Sequence, residues 1–412
     1  MDRLPGFRDF YPEPLPHNDV WSADARQFIF ETWRKVAKRY GFREYDGPPL
    51  EPLELFTTKS GEEIVGQLYN FLDKGDRAIS LRPEMTPTLA RMVAAHERNY
   101  KKPIKWFAIP QLFRYERPQK GRLREHFQFN ADLIGETDPA ADAELIALLI
   151  DTLRAFGLKA DDFVIRLSSR NAWHAFFKQG GGEDAHEYDF FQAIDKLERA
   201  AQEESEKKLA AMGFSLAQVN AFIQSGKPTA ELQAILDNLE ARGLREFVKI
   251  DYQVIRGLAY YTGVVFEAFD RKGELRAIAG GGRYNNLVKL ISGGKVDLPA
   301  LGFGMGDVVL LELLKARALL PKFDAPMDVF VLIEDESIRA LSLKLVHDLR
   351  AAGYAVEYPL TPANPDKQFK RAQEMKVLHT VRLDNDSYVR IRNLKTRQEI
   401  VTGIASVVNH LD

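Results

Sequence analysis

FRYERPQKGRLREHFQ, Phe113–Gln128, is the stretch on which the reading of this chain turns. It opens on Phe-Arg-X-Glu, runs through a basic turn punctuated by Pro118 and Gly121, and closes on an aromatic pair and Gln128. Arg114, Arg117, Lys120, Arg122 and Arg124 place five cations in eleven residues of a protein with net charge −2. A basic cluster on a near-neutral background asks for a phosphate partner, since the molecule as a whole supplies no attractive field. By itself the run also fits a solvated hairpin edge. Two spacings favour a cleft. Arg114 and Glu116 stand two apart, so on a strand they share a face. The strand expected next, Phe127–Leu133, shows Gln128, Asn130 and Asp132 on one face, which is too polar to be core.

Four further stretches carry chemistry. In LRPEMTP (Leu81–Pro87), Glu84 and Thr86 stand at a strand end before a helix; they suit an ammonium group, and Thr86 before Pro87 also fits a helix N-cap. In IRGLAYYTGVVFE (Ile255–Glu267), Arg256 precedes a glycine and the pair Tyr260-Tyr261, where one phenol can face a ligand and one ring the core. AIAGGGRYNNL (Ala277–Leu287) reads as a glycine-rich turn that lets backbone approach a ligand, followed by Arg283 and Tyr284. It lacks the spacing of a dinucleotide loop. LGFGMGDVVLLELL (Leu301–Leu314) reads as a glycine-dense strand entering an apolar helix, and says only close strand–helix packing.

The chain has 412 residues, 45% hydrophobic and 28% charged, with mean hydropathy −0.29. That suits a soluble protein of two or three domains. There are no cysteines, hence no disulfide framework and no thiolate metal site. The N-terminus has no apolar leader segment, and no run approaches the roughly 18 apolar residues of a membrane helix. The expectation is a cytoplasmic protein without membrane attachment. Helices are expected over Trp21–Tyr40, Thr86–Glu97 and Asp138–Ala155, and strands over Ala78–Arg82, Lys105–Phe113, Asp161–Leu167, Phe247–Val254, Val264–Phe269 and Glu274–Ile278. Residues 188–245, rich in Ala, Glu, Lys and Leu, read as a helical insertion in a sheet domain. Beyond a linker holding Pro321 and Pro326, alternating strands and helices predict a compact α/β domain over 326–412, leaving 1–325 as the larger domain. Lys367, Lys370 and Arg371 share a helix there, and Arg390 and Arg392 share a strand face with Tyr388; these fit nucleic-acid phosphates and a stacked base, or an ordinary solvated face.

The order PEMT, FRYER…GR…Q, RGLAYYTG, GGGRY and GFGMG resembles the histidyl-tRNA synthetases, a class II aminoacyl-tRNA synthetase family, from LPGFRDFYP at the N-terminus to the C-terminal α/β domain. The resemblance implies an α+β fold: a six-stranded antiparallel catalytic sheet with a helical insertion, a C-terminal α/β anticodon-binding domain, and a homodimer in which Gly41–Phe56 matches the interface motif. It implies ligation of L-histidine to tRNA(His) through histidyl-adenylate, with ATP as substrate and Mg2+ on its phosphates. Glu84, Met85 and Thr86 would lie at the amino acid, with Glu84 and Thr86 gripping its ammonium group. Asp132, Tyr260 and Tyr261 would read the imidazole, and Gln128 would hold the ammonium or carboxylate end. Arg114 and Arg256 would flank the α-phosphate and the reacting carboxylate. Glu116, Arg122, Arg124, His126 and Arg283 would serve the nucleotide.

Three positions depart from the family pattern. Val308 and Val309 stand where Glu-Arg usually ends the last motif, the arginine clamping the γ-phosphate. His126 stands where an aromatic ring stacks on adenine, with Phe127 one place later. Ala259 stands where the histidine motif has Asp. Rearranged nucleotide contacts, through Arg122, Arg124 or Arg283, would accommodate the first. The alternative is a catalytically silent paralogue: a histidine-sensing regulatory subunit, which would lack the C-terminal domain and the motif arginine, or a tRNA-binding module.

Overall fold

Alternation of apolar and polar residues along the long strands builds one sheet with a buried and a polar face. A computed structural model describes residues 2–60, 62–116, 121, 123–197, 200–255, 260–323 and 327–411, without the side chains of 59, 60 and 62–64. Arg122, Arg256 and Ala259 therefore lie outside the described residues. The chain divides into two compact units, Met1–Pro321 and Lys322–Asp412.

In the first unit, β1 (Ile104–Ala108), β2 (Glu125–Ile134), β3 (Phe163–Ser169), β4 (Val264–Asp270), β5 (Ala279–Arg283) and β6 (Ala300–Gly306) stand in the order β3-β4-β5-β6-β2-β1. Every neighbouring pair of these six is antiparallel. Short parallel strands, Val248–Ile250 beside β3 and Arg43–Glu44 beside β1, make the complete sheet mixed. On β2 the odd-numbered Phe129, Ala131 and Leu133 are buried. Phe129 stacks on Trp33 of the helix Ala23–Arg39 at 5.7 Å and meets Phe107 edge-on at 5.9 Å. That helix and Ala140–Ala155 cover this face, and the even-numbered face of β2 is left to a cleft.

Two expectations about strands are corrected. Lys105–Phe113 is two strands, β1 and Gln111–Phe113, because Pro110 has no N–H to donate to a ladder. Its carbonyl instead accepts from Gln128 N at 3.1 Å. Glu274–Ile278 is not a strand, and the glycine-rich segment expected to be a turn is β5 itself, central in the sheet. Strand propensity disfavours glycine, but crowding requires it here. A Cβ on Gly281 would lie 2.2 Å from Gly302 O, and one on Gly282 2.6 Å from Val264 O.

Among the described residues, five α-helices lie between β3 and β4, Arg170–Gln179, Glu187–Asp195, Gln202–Ala211, Leu216–Ser225 and Ala230–Ala241. They enclose an aromatic cluster in which Trp173, Phe177, Phe190 and Phe214 are buried. In the second unit, strands run in the order Val356–Glu357, Val329–Leu332, His379–Leu383, Tyr388–Asn393, Glu399–Gly403. Val329 and Val331 join the core under the helix Arg339–Ala351, while Phe330 and Leu332 join another under Pro365–Glu374. Coverage on both faces is why VFVL is apolar throughout.

Candidate active site

The polar face of β2 is the back wall of a cleft in the first unit, with a cavity of about 250 Å³. His126, Gln128, Asn130 and Asp132 all line it, at the two-residue period of a strand. Opposite them in β6, Gly302 pairs with Asp132 and Gly306 with Gln128. The glycines of GFGMG make room for these side chains. A Cβ on Gly302 would lie 2.0 Å from Asp132 Oδ1, and one on Gly304 2.7 Å from Gln128 Cδ. The expectation that they serve strand–helix packing is thereby corrected: their missing side chains are part of the cleft.

At the floor, Tyr284 Oη donates to Asp132 Oδ1 at 2.5 Å. Burial pushes the Asp132 carboxyl up to about 7, with the Tyr284 hydroxyl pulling the other way. Burial also drives Tyr284 well above the ordinary range of a phenol, reinforced by the Asp132 charge. Tyr260 Oη donates to Glu84 Oε2 at 3.2 Å, and its ring lies 4.9 Å from that of Tyr261, which is buried. Thr86 is the first residue of the helix Thr86–His96 rather than its cap, and lines the cleft beside Glu84. Arg114 lines it from the side, held by Nε donation to Pro83 O at 3.1 Å. Two carboxylates, three phenols and a guanidinium can sort the ammonium, carboxylate and ring of a small amino acid by hydrogen bonds and charge.

A second chamber, of about 160 Å³, adjoins the first and shares Arg114, His126, Gly306 and Val309 with it. Behind its wall sits a buried ionic knot. Arg8 donates to Glu125 Oε1 at 2.6 Å and to Asp307 Oδ2 at 2.8 Å, while Asp307 Oδ1 accepts from Phe127 N at 3.0 Å. The knot ties the start of β2, which carries His126, to the helix Asp307–Ala316, which carries Val309.

Residues 17–307 match the histidyl-tRNA synthetase family, and residues 328–412 match the anticodon-binding domain family. A histidine–tRNA ligase of Opitutus terrae is 46% identical over 96% of this chain and 94% of its own length. One of Thermoplasma volcanium is 37% identical over 98% and 96%. This chain belongs to the histidyl-tRNA synthetase family. The fold agrees: a crystal structure of histidyl-tRNA synthetase from Nostoc sp. PCC 7120 superposes with TM-score 0.76 at 23% identity, covering 97% of each chain. The match to the anticodon-binding domain, and the ligase names of relatives that match nearly the whole chain, do not favour the silent regulatory reading.

With the family in hand, the expected site residues divide clearly. The cleft unites Glu84, Thr86, Arg114, His126, Gln128, Asp132, Tyr260 and Tyr261. Arg122 and Arg256 lie outside the described residues. Met85 is not in the cleft: it is wholly buried, its sulfur 3.8 Å from the Arg82 guanidinium. As the residue before the helix it turns inward while its neighbours on either side turn to the cavity.

Three nucleotide expectations are not met by the geometry. Arg283 is on the other face of β5, opposite Leu301, where it is clamped on Asp142 and on the carbonyls of Glu136 and Asp138. Arg124 lies 4.5 Å over the Tyr115 ring and donates to Glu116 O at 3.1 Å, its stem against Gly6. Glu116, two residues beyond Arg114, lies past the end of the strand Gln111–Phe113, so the alternation that would aim both side chains alike no longer holds. Neither Arg124 nor Glu116 lines either chamber. The choice between His126 and Phe127 is decided by the same alternation: Phe127 meets Phe10 and Phe30 on the buried side at 6.1 and 5.0 Å, and His126 faces the cleft.

Sequence reasoning missed Tyr284 as a site residue and Arg8 as the anchor of the wall. It also missed the pocket role of Gly302 and Gly304, although their spacing of two was a readable sign that one strand face carries no side chains.

Proposed function

We propose that this protein ligates L-histidine to tRNA(His) in two steps, first forming histidyl-adenylate from ATP with release of pyrophosphate, then passing histidine to the 3′ end of the tRNA. The observation that carries the reading is the pairing of Asp132 with Tyr284 and of Glu84 with Tyr260 in one cleft beside Arg114. Glu84 and Thr86 take the ammonium group, Gln128 the carboxylate end, and Asp132 with the tyrosines the imidazole. A pocket of paired polar groups rejects an analogue that cannot hydrogen-bond, since the groups it fails to meet stay buried and unpaired.

The histidine carboxylate attacks the α-phosphorus, negative charge grows on the phosphoryl oxygens, and Arg114 meets it at fixed cost, having been oriented beforehand by Pro83 O. The family pattern assigns Arg256 to the same charge. No side-chain nucleophile takes part. His126, which lines the cleft, would stack on the adenine. Among the described residues no group of three or more carboxylates or histidines could hold a metal ion. Magnesium would neutralise charge on the phosphates of ATP.

The second unit would bind the anticodon. Tyr388, 53% exposed, offers a stacking ring, and Arg392, on the same strand, lies 5.3 Å over Phe369. Arg390 is already paired with Asp384 and Glu399, and so is less suited to phosphate than its position in the sequence suggests. The protein would act as a homodimer in the cytoplasm. Support for the dimer is the small sheet of Leu50–Pro52, Ala78–Leu81 and Asn70–Leu72, next to Pro48 and Pro49, which exposes Leu50, Phe71 and Leu72. Among the described residues no helix is long and apolar enough to cross a membrane.

Histidine-dependent ATP–pyrophosphate exchange tests the reading. Purified protein should exchange pyrophosphate only when histidine is present; no exchange at saturating histidine and ATP would overturn it.

A further inference from the structure

The second chamber raises a question of charge. If ATP places its α-phosphate at Arg114, its β- and γ-phosphates continue past it, and an anionic chain needs a further cation there. On the wall of that chamber stand Val308 and Val309, which offer none. Among the described residues that line it, one cation besides Arg114 is at hand. Arg276, just before β5, lines the chamber together with Arg114 and His126. Gly121 shows how near it comes: a Cβ there would lie 3.6 Å from Val309 Cγ2 and 3.8 Å from Arg276 Cδ. Arg276 and Val309 thus both approach the turn at Gly121, and Arg276 is exposed at the chamber it lines. Of the other arginines named for this role, Arg122 lies outside the described residues and two are engaged elsewhere. Arg283 is locked on Asp142 beneath the sheet, and Arg124 on Tyr115.

Resting on the ligase reading above, the geometry points to Arg276 as the residue that binds the terminal phosphates of ATP in this protein, in place of a cation at position 309. It reaches the same chamber from the segment before β5 instead of from the helix Asp307–Ala316. A guanidinium suits terminal phosphates, because it stays charged at all working pH values and presents a planar fork to their oxygens. The apolar Val309 then shields the ion pair on one side, which strengthens it relative to water.

The test uses the full-length protein with Arg276→Gln. In histidine-dependent exchange, KM for ATP should rise roughly 10- to 100-fold, the scale of losing one fixed phosphate donor, with KM for histidine unchanged. Binding measured by calorimetry separates the phosphates: the variant should lose affinity for ATP and keep that for AMP, which has no terminal phosphates. Adding Val309→Arg to Arg276→Gln should restore much of the ATP affinity, a rescue that a merely structural arginine would not show. An unchanged KM for ATP in Arg276→Gln, equal losses for ATP and AMP, or a folded double variant without rescue would each overturn the assignment. Because wild-type exchange is measured alongside, its absence would sink the ligase reading, and its presence with an unaffected variant would sink only the role of Arg276.

Discussion

Single residues decide what the cleft can recognise. Arg114 is fixed by one backbone carbonyl before any ligand arrives, so in the proposed adenylation its charge would cost no reorganisation as the α-phosphate becomes more negative. Arg114→Ala should lower the exchange rate on the order of 100-fold or more while leaving thermal unfolding near wild type. A full-rate variant would remove Arg114 from that role. Asp132 carries a different prediction. Its folded pKa of about 7 stands above the 3.8 of an unstructured aspartate, so between these values the folded chain holds a proton that the unfolded chain releases. Folding is therefore favoured at the acid end of that window, and this contribution is lost as pH rises towards 7, at about 1.4 kcal/mol per unit. Asp132→Asn removes the titration. Thermal unfolding of the ligand-free proteins should show the variant gaining on wild type from pH 5 to pH 8; a constant difference would mean that Asp132 does not titrate there.

At the scale of elements, the stability of the sheet and the chemistry of the cleft are carried by opposite faces of the same strands. β5 shows this best. Gly280 and Gly282 look to the face that Gly302 and Gly304 keep clear, while Arg283 points beneath and binds Asp142. Burial pushes Asp142 up to about 6, with the Arg283 guanidinium pulling it down. Removing the cation leaves a buried carboxyl without its partner. Arg283→Met should cost about 3 kcal/mol in urea unfolding, within the range for breaking a buried pair, and leave KM for ATP unchanged. A raised KM for ATP without a stability loss would return Arg283 to the nucleotide. Much of this architecture was legible in the sequence. The helix capped by Ser22, the two-residue polar period of β2 and the α/β alternation after Pro321 each followed from a local pattern. β5 was not legible, because glycine gives no strand signal, and its pairing depends on neighbours distant in the chain.

At the scale of the whole molecule, the exposed Leu50, Phe71 and Leu72 are the best argument for a second copy. Leu72 is 65% exposed, so a charge there costs the monomer little. If the protein is the proposed homodimer, Leu72→Asp is expected to shift it to monomer in light scattering after size exclusion, with unchanged secondary structure by circular dichroism; a variant that stays dimeric would place the interface elsewhere.

The sequence by itself determined the family and which face of β2 is polar, because each rests on local order or a period of two. Tertiary structure alone decided which cations reach the cleft. Arg114, Arg124, Arg276 and Arg283 are alike as letters, but a long flexible side chain goes where the nearest fixed acceptor or ring lies, and those partners come from distant parts of the chain. Asp142 takes Arg283, Tyr115 and the Glu116 carbonyl take Arg124, and Arg114 and Arg276 line the chamber past Val309.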